Sequence, residues 1–178
     1  DIDKLSNTKD SIKILTVGTL GESKNQKMLI DAFLKLDYRG TSLLIIGANP
    51  NNYIEEEYID SLKSKNIFYF GQVQDSVSYM EVCNIFCMSS RNEGLPLVLM
   101  EAKLKNMTVI TTRVGGSEEI IDSHDYSVPP NDLDGYVAAL RNAIISFKND
   151  SIRVKNPTQK RFLEISRCYS DYYNLYKN

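Results

Sequence analysis

Ser90-Arg91-Asn92-Glu93-Gly94-Leu95-Pro96-Leu97-Val98-Leu99-Met100-Glu101-Ala102 sets one carboxylate in a loop and a second inside a helical pattern. A strand pattern, Val109-Ile110-Thr111-Thr112, and a Gly115-Gly116-Ser117 turn follow. Open α/β sheets are built from such units and hold ligands above the carboxyl ends of their strands. Glu93 sits in a loop and is free to move toward a ligand there. Glu101 lies about two turns further along and is fixed by apolar helical neighbours. Two acids at different heights fit a long polar ligand.

Outward from this segment the same period recurs. Apolar runs at Ile12–Val17, Leu43–Ile46, Ile67–Phe70, Ile85–Met88 and Val109–Thr111 are each followed by a polar or glycine-bearing turn. None alternates strictly with polar residues, as befits central strands covered on both faces. Helical patterns fit Asn25–Leu36, Ile54–Ser64, Val77–Cys83, Leu97–Lys105, Ser117–Ile121, Leu133–Phe147 and Pro157–Tyr176. The fold expected is α/β, a Rossmann-like, doubly wound parallel sheet. Asp132 is placed to cap the helix near Leu133, Ser117 to cap the one it opens, and Pro96 to occupy a first helical position.

The 178 residues fit one domain, since a chain of this size buries roughly 70 % of its unfolded surface. A formal charge of -2, with acids and bases interspersed, gives no basic patch for nucleic acid. No apolar run reaches the roughly 18 residues needed to cross a bilayer, and Asp1-Ile2-Asp3-Lys4 is no signal peptide, so a cytoplasmic chain is expected. Cys83, Cys87 and Cys168 match no redox or zinc spacing and read as buried free thiols. His124 is the sole histidine, and the aspartates have no ligand spacing, so no metal is expected.

Residues 1–11 read as an interdomain linker remnant, 12–156 as the domain proper, and 157–178 as a C-terminal helical segment. Its stripe of Phe162, Ile165, Cys168, Tyr169, Tyr172, Tyr173 and Tyr176 fits packing on this domain or on an absent neighbour.

Three turns are candidates for ligand contact. Gly18-Thr19-Leu20-Gly21-Glu22-Ser23-Lys24-Asn25 follows a strand and opens a helix, exposing backbone N–H groups beside a lysine, although two glycines by themselves fit an ordinary turn with a solvated lysine better. Its spacing matches neither G-x-G-x-x-G nor a P-loop. In the Glu93-Gly94 turn, the helix started at Pro96 would aim its first N–H groups, near Leu97 and Val98, at an anion. Gly71 ends the Phe68-Tyr69-Phe70 run, where a flat ring could lie against backbone, and a plain turn fits it equally.

In order, Gly18…Lys24-Asn25-Gln26, Leu44-Ile45-Ile46-Gly47, Phe70-Gly71, Ser89…Glu93-Gly94-Leu95-Pro96…Glu101-Ala102 and Val114-Gly115-Gly116…Glu119-Ile120 resemble the C-terminal, donor-binding half of retaining GT-B glycosyltransferases, group 1 or family 4. The resemblance implies a nucleotide-diphosphate sugar as donor substrate, no separate cofactor, and an acceptor saccharide or lipid-linked saccharide bound by an N-terminal half. It implies surface polysaccharide biosynthesis, at the inner face of the membrane in the longer protein. Glu93 and Lys24 would serve catalysis, Glu93 at the sugar and Lys24 at the diphosphate. Glu101 would take the ribose and Gly71 the base, with Gly18, Thr19, Gly94, Leu97 and Val98 completing the donor site.

Departures from that family pattern are Thr19 for an arginine, Asn106 and Thr108 for glycine and proline, and His124-Asp125-Tyr126 for an asparagine-glycine turn. Loss of the arginine removes a cation from the diphosphate site and keeps a noncatalytic nucleotide-sugar-binding domain as the second reading. A nucleotide-sugar epimerase of the same fold is the third.

Overall fold

The computed structural model describes residues 12–149, together with Arg167 and Ser170. The linker remnant, the C-terminal segment with its aromatic stripe, and Cys168 lie outside the described residues. The elements in chain order are β1 (Ile12–Val17), α1 (Gln26–Leu36), β2 (Thr41–Ile46), α2 (Glu56–Leu62), β3 (Ile67–Tyr69) and α3 (Val77–Val82), followed by β4 (Ile85–Met88), α4 (Leu97–Leu104), β5 (Thr108–Thr112), α5 (Ser117–Ile120), β6 (Tyr126–Val128) and α6 (Leu133–Asn149).

The strands form one six-stranded sheet in the order β3-β2-β1-β4-β5-β6, and every neighbouring pair is parallel. The chain winds outward from β1 to β3, returns to the other side of β1 at β4, and winds outward again. The fold is therefore the doubly wound α/β sheet expected, with its topological switch between β1 and β4. Strand alternation divides the core by face. Ile14, Leu43, Ile45, Ile85, Cys87 and Ile110 pack with α1, α2 and α6 on one side. Leu15, Leu44, Ile46, Phe86, Met88 and Val109 pack with α3, α4 and α5 on the other. Both faces are dry, which explains the continuous apolar runs, and each fully buried aliphatic residue contributes about 1.5–3 kcal/mol.

Tyr126–Val128 is a sixth strand that the sequence reading missed. It is three residues long and partly exposed, and among the described residues it pairs with Ile110–Thr112 alone. Two capping expectations are corrected. Pro96 precedes α4 in extended backbone (φ -79°, ψ 93°) instead of occupying its first turn. Ser117 lies inside α5, and its Oγ donates to the Thr112 carbonyl at 2.9 Å and accepts from the Val114 N–H at 3.1 Å. Its hydroxyl therefore closes the preceding turn. Asp132 does cap α6, accepting from the Gly135 N–H at 2.9 Å.

Among the described residues no helix is long and apolar enough to cross a membrane.

Candidate functional site

The loop after β1 is shaped from below by α1. Gln26, 2 % exposed, donates from Nε2 to the carbonyls of Gly18 (3.3 Å) and Thr19 (3.2 Å) and accepts from the Gly21 N–H (3.2 Å). One buried amide thus satisfies three backbone groups that a tight loop would otherwise strand. Asn25 takes a left-handed conformation (φ 52°) to turn the chain into α1. Ser89 Oγ, at the end of β4, donates to the carbonyls of Lys24 (3.0 Å) and Asn25 (3.1 Å). The backbone leading from Lys24 into α1 is therefore fixed.

The loop after β4 brings up the partner. Glu93 Oε1 accepts from Lys24 Nζ at 2.7 Å and from Ser90 Oγ at 2.6 Å. Thr112 Oγ1, from the tip of β5, donates to the Ser90 carbonyl at 2.6 Å and steadies that serine. The Lys24 side chain is 38 % exposed and that of Glu93 is 11 % exposed. Glu93 is thus not the mobile loop acid expected, because two donors and burial hold its carboxylate. An ammonium has three N–H donors, so Lys24 keeps two for a second anion while paired.

The Gly115-Gly116 turn closes on the same loop. Gly115 has φ +51°, and a Cβ there would overlap the carbonyls of Glu93 and Gly94, while the Gly116 N–H donates to the Gly94 carbonyl at 2.9 Å. Only glycine allows this approach. In α4, the N–H groups of Leu99 (3.0 Å) and Met100 (3.4 Å) reach the Pro96 carbonyl. Those of Leu97 and Val98 precede the first helical bonds and stand at the positive end of the helix. Glu101, partly buried, lies about 6 Å further along the axis.

Gly71 (φ +68°) has open space where a Cβ would be, and its carbonyl accepts from the Gly47 N–H at 2.8 Å. Gly47 (φ +148°) lies so close to Gly18 that a Cβ would overlap the Gly18 carbonyl oxygen. Three adjacent strands, β1, β2 and β3, thus end in glycines that leave a floor of bare backbone. A cavity of about 460 Å³ opens beyond it, beside β2 and β3, lined by Ala48, Asn49, Glu56, Asp60, Tyr69 and Gln72. It lies outside the Lys24–Glu93 pair. Burial, with the Glu56 carboxylate adding to it, raises the pKa of the Tyr69 phenol, which donates to the Gly47 carbonyl at 2.8 Å.

The departures flagged in the sequence have local solutions. Asn106 has φ +57°, a conformation that asparagine tolerates better than most residues, and the Thr108 N–H donates to the Asn84 carbonyl at 3.2 Å, a bond that proline would lose. The 122–125 turn is organised by carboxylates. Asp125, its side chain fully buried, accepts from Lys103 Nζ (2.5 Å), the Val109 N–H (2.8 Å) and the Asp122 N–H (2.9 Å). Lys103 also donates to Asp122 at 2.9 Å, which ties α4 to the turn before β6.

The structure thus assembles Gly18, Thr19, Lys24, Glu93, Gly94, Leu97 and Val98 on both sides of the switch point. Gly71 lies on the β3 side and Glu101 one turn into α4. Sequence reasoning missed Gln26, Ser89, Ser90, Arg91 and Gly47, which build the two loops. All five stood in the segments already quoted, but burial and close approach are not written in spacing.

This is the edge at which open α/β sheets hold ligands, and here it presents an ammonium, a carboxylate and a helix N-terminus together. The pattern of the family described as Glycosyl transferases group 1 matches residues 1–161, and the chain belongs to that family. It is 32 % identical over 107 residues to the uncharacterized glycosyltransferase MJ1059 of Methanocaldococcus jannaschii, covering 58 % of this chain and 26 % of that protein. It is 30 % identical over 142 residues to the amylovoran biosynthesis glycosyltransferase AmsD of Erwinia amylovora, covering 75 % of this chain and 39 % of that one. Among solved structures, Anabaena HepE in complex with UDP-glucose superposes with a TM-score of 0.76 at 15 % identity over 97 % of this chain and 51 % of HepE. The chain spans at most about half the length of these relatives.

Proposed function

We propose that this chain is the C-terminal, donor-binding half of a retaining GT-B glycosyltransferase of the family 4 type. It binds a nucleotide-diphosphate sugar, without a separate cofactor, for transfer to a saccharide or lipid-linked saccharide in surface polysaccharide biosynthesis. The observation that carries this reading is the Lys24–Glu93 pair at the switch point, above the helix N-terminus that begins at Leu97. Relatives named for amylovoran and capsular polysaccharide biosynthesis, and a similar fold solved with UDP-glucose, support it.

In the reaction, the acceptor hydroxyl oxygen bonds the anomeric carbon while the bond from that carbon to the diphosphate oxygen breaks. The electron pair leaves with the diphosphate, and the hydroxyl proton is released. Charge therefore grows on the diphosphate, and Lys24 with the N–H groups of Leu97 and Val98 neutralises it. Glu93, with one oxygen committed to Lys24 and Ser90, offers the other to hydroxyls of the donor sugar. Glu101 accepts from the ribose diol. The bare backbone of Gly18, Thr19 and Gly71 lets the nucleotide lie flat, and Gly94 lets the loop approach it.

Two measurements test this reading. Glu101→Ala should abolish the preference for a nucleoside diphosphate over its 2′,3′-dideoxy analogue, and an unchanged preference removes the ribose assignment. Joined to an acceptor-binding half, the chain should give a product whose anomeric proton coupling matches that of the donor, and inversion contradicts the retaining assignment.

A further inference from the structure

Arg91 is exposed and forms an ion pair with an exposed acid, features that usually mean little, yet it makes three separate attachments. Its backbone N–H donates to the Ser23 carbonyl at 2.7 Å, its Nε donates to Asn131 Oδ1 at 2.8 Å, and an Nη of its guanidinium pairs with Glu22. Ser23 immediately precedes Lys24, and Arg91 stands two residues before Glu93. The first attachment therefore sets the backbone separation of the two loops that carry the pair.

The other two attachments brace it. Asn131, in the turn between β6 and α6, takes a left-handed conformation (φ +63°) and also accepts from Asn25 Nδ2 at 3.3 Å. Asn25 immediately follows Lys24. Glu22 is held in turn by the Tyr53 hydroxyl at 3.2 Å. One planar guanidinium thus spans the β1–α1, β4–α4 and β6–α6 loops, which no shorter or single-pronged side chain can do.

We infer that Arg91 is a positioning residue: it cross-links three loops and so holds Lys24 and Glu93 in register for the donor. The inference rests on the donor-site reading above for its functional consequence and on geometry alone for the register. An exposed pair adds little to global stability, so its loss should be felt at the site before it is felt in folding.

Two arms test it on the 178-residue chain. In urea unfolding, the double-mutant cycle of Lys24→Met and Glu93→Gln should give a coupling of about threefold in the folding equilibrium, within the range for partly exposed pairs. In an Arg91→Ala background, which keeps the backbone bond to Ser23 but loses both side-chain attachments, it should fall toward unity, and an undiminished coupling there overturns the inference. In calorimetry with UDP-glucose, GDP-mannose and ADP-glucose, Arg91→Ala should weaken the nucleotide sugar that binds by about tenfold while the melting temperature moves by less than about 2 °C. Arg91→Lys should be nearly as weak, whereas full recovery by lysine would make Arg91 a simple charge and also overturn the inference. If the parent chain binds none of the three, the donor-site reading is what fails, and the coupling arm alone decides on Arg91.

Discussion

Lys24 Nζ and Glu93 Oε1 lie 2.7 Å apart although 69 positions separate the two residues in the chain. The contact exists because β1 and β4 are neighbours in the sheet and each ends in a loop aimed at the other. It bridges the one place where the winding direction reverses, so the two loops part there and leave a crevice. A cation and an anion at the mouth of that crevice can address two different parts of one ligand.

Lys24→Met should therefore cost nucleotide affinity far more than it costs stability. With the lysine 38 % exposed, the pair contributes about 0.5 kcal/mol to folding after solvent screening, whereas loss of a charge-assisted phosphate contact costs about 1.5–3 kcal/mol of binding. Urea unfolding beside calorimetry separates the two, and equal losses would contradict the assigned role.

Gly115→Ala forces a Cβ onto the carbonyls of Glu93 and Gly94 in a left-handed backbone. The loop must yield, with an expected loss of about 2 kcal/mol or more in urea unfolding and weaker nucleotide binding. Gly94→Ala, where a Cβ meets nothing within 4 Å, is the stability control and should be nearly neutral in urea unfolding.

Lys103 is 10 % exposed at its side chain and bonded to a fully buried Asp125, so Lys103→Met strands a buried carboxylate. The expected cost is about 3 kcal/mol in urea unfolding. At Asp122 burial opposes the charged form, but the Lys103 ammonium and the His124 N–H outweigh it and hold the carboxyl below its ordinary value. The stability Asp122 adds is full above the ordinary carboxylate pKa and drains as pH falls through the lowered one. Asp122→Asn should flatten that acid limb of the unfolding curve.

Burial pushes the thiols of Cys83 and Cys87 up to about 12. Iodoacetamide at about pH 8 should leave both unmodified in the folded chain and label both in urea, with mass spectrometry assigning the sites. Rapid labelling of either in the folded chain would mean that its strand end opens readily.

Asn106 combines a left-handed backbone with a buried Oδ1 that finds no hydrogen-bond partner among the described residues. Asn106→Gly removes both penalties and should be neutral or raise stability by up to about 1 kcal/mol, read as a shift in the urea midpoint.

The sheet was legible because Ile12–Val17 and Ile85–Met88 are buried on both faces, the second an unbroken apolar run and the first interrupted only by Lys13 and Thr16. Tyr126–Val128 was not, since its strand character comes from pairing with β5 and its own residues are half polar. Helix interiors were read well and their starts less so. Pro96 fits either side of a helix boundary, and only its ψ of 93° decides. At the candidate site, the glycines, Lys24 and Glu93 were visible as residue types in loops, and Glu101 within its helix. The Lys24–Glu93 contact and the Ser89 latch depend on which strand lies beside which, and spacing along the chain does not encode that. The Gln26 brace is local, but it depends on the amide being folded under its own loop, which residue type alone does not show.

The most direct test is calorimetric titration of the chain and of its Lys24→Met variant with UDP-, GDP- and ADP-sugars. One donor should bind the parent saturably and the variant at least about tenfold more weakly. Equal binding to both would contradict a diphosphate site at the Lys24–Glu93 pair.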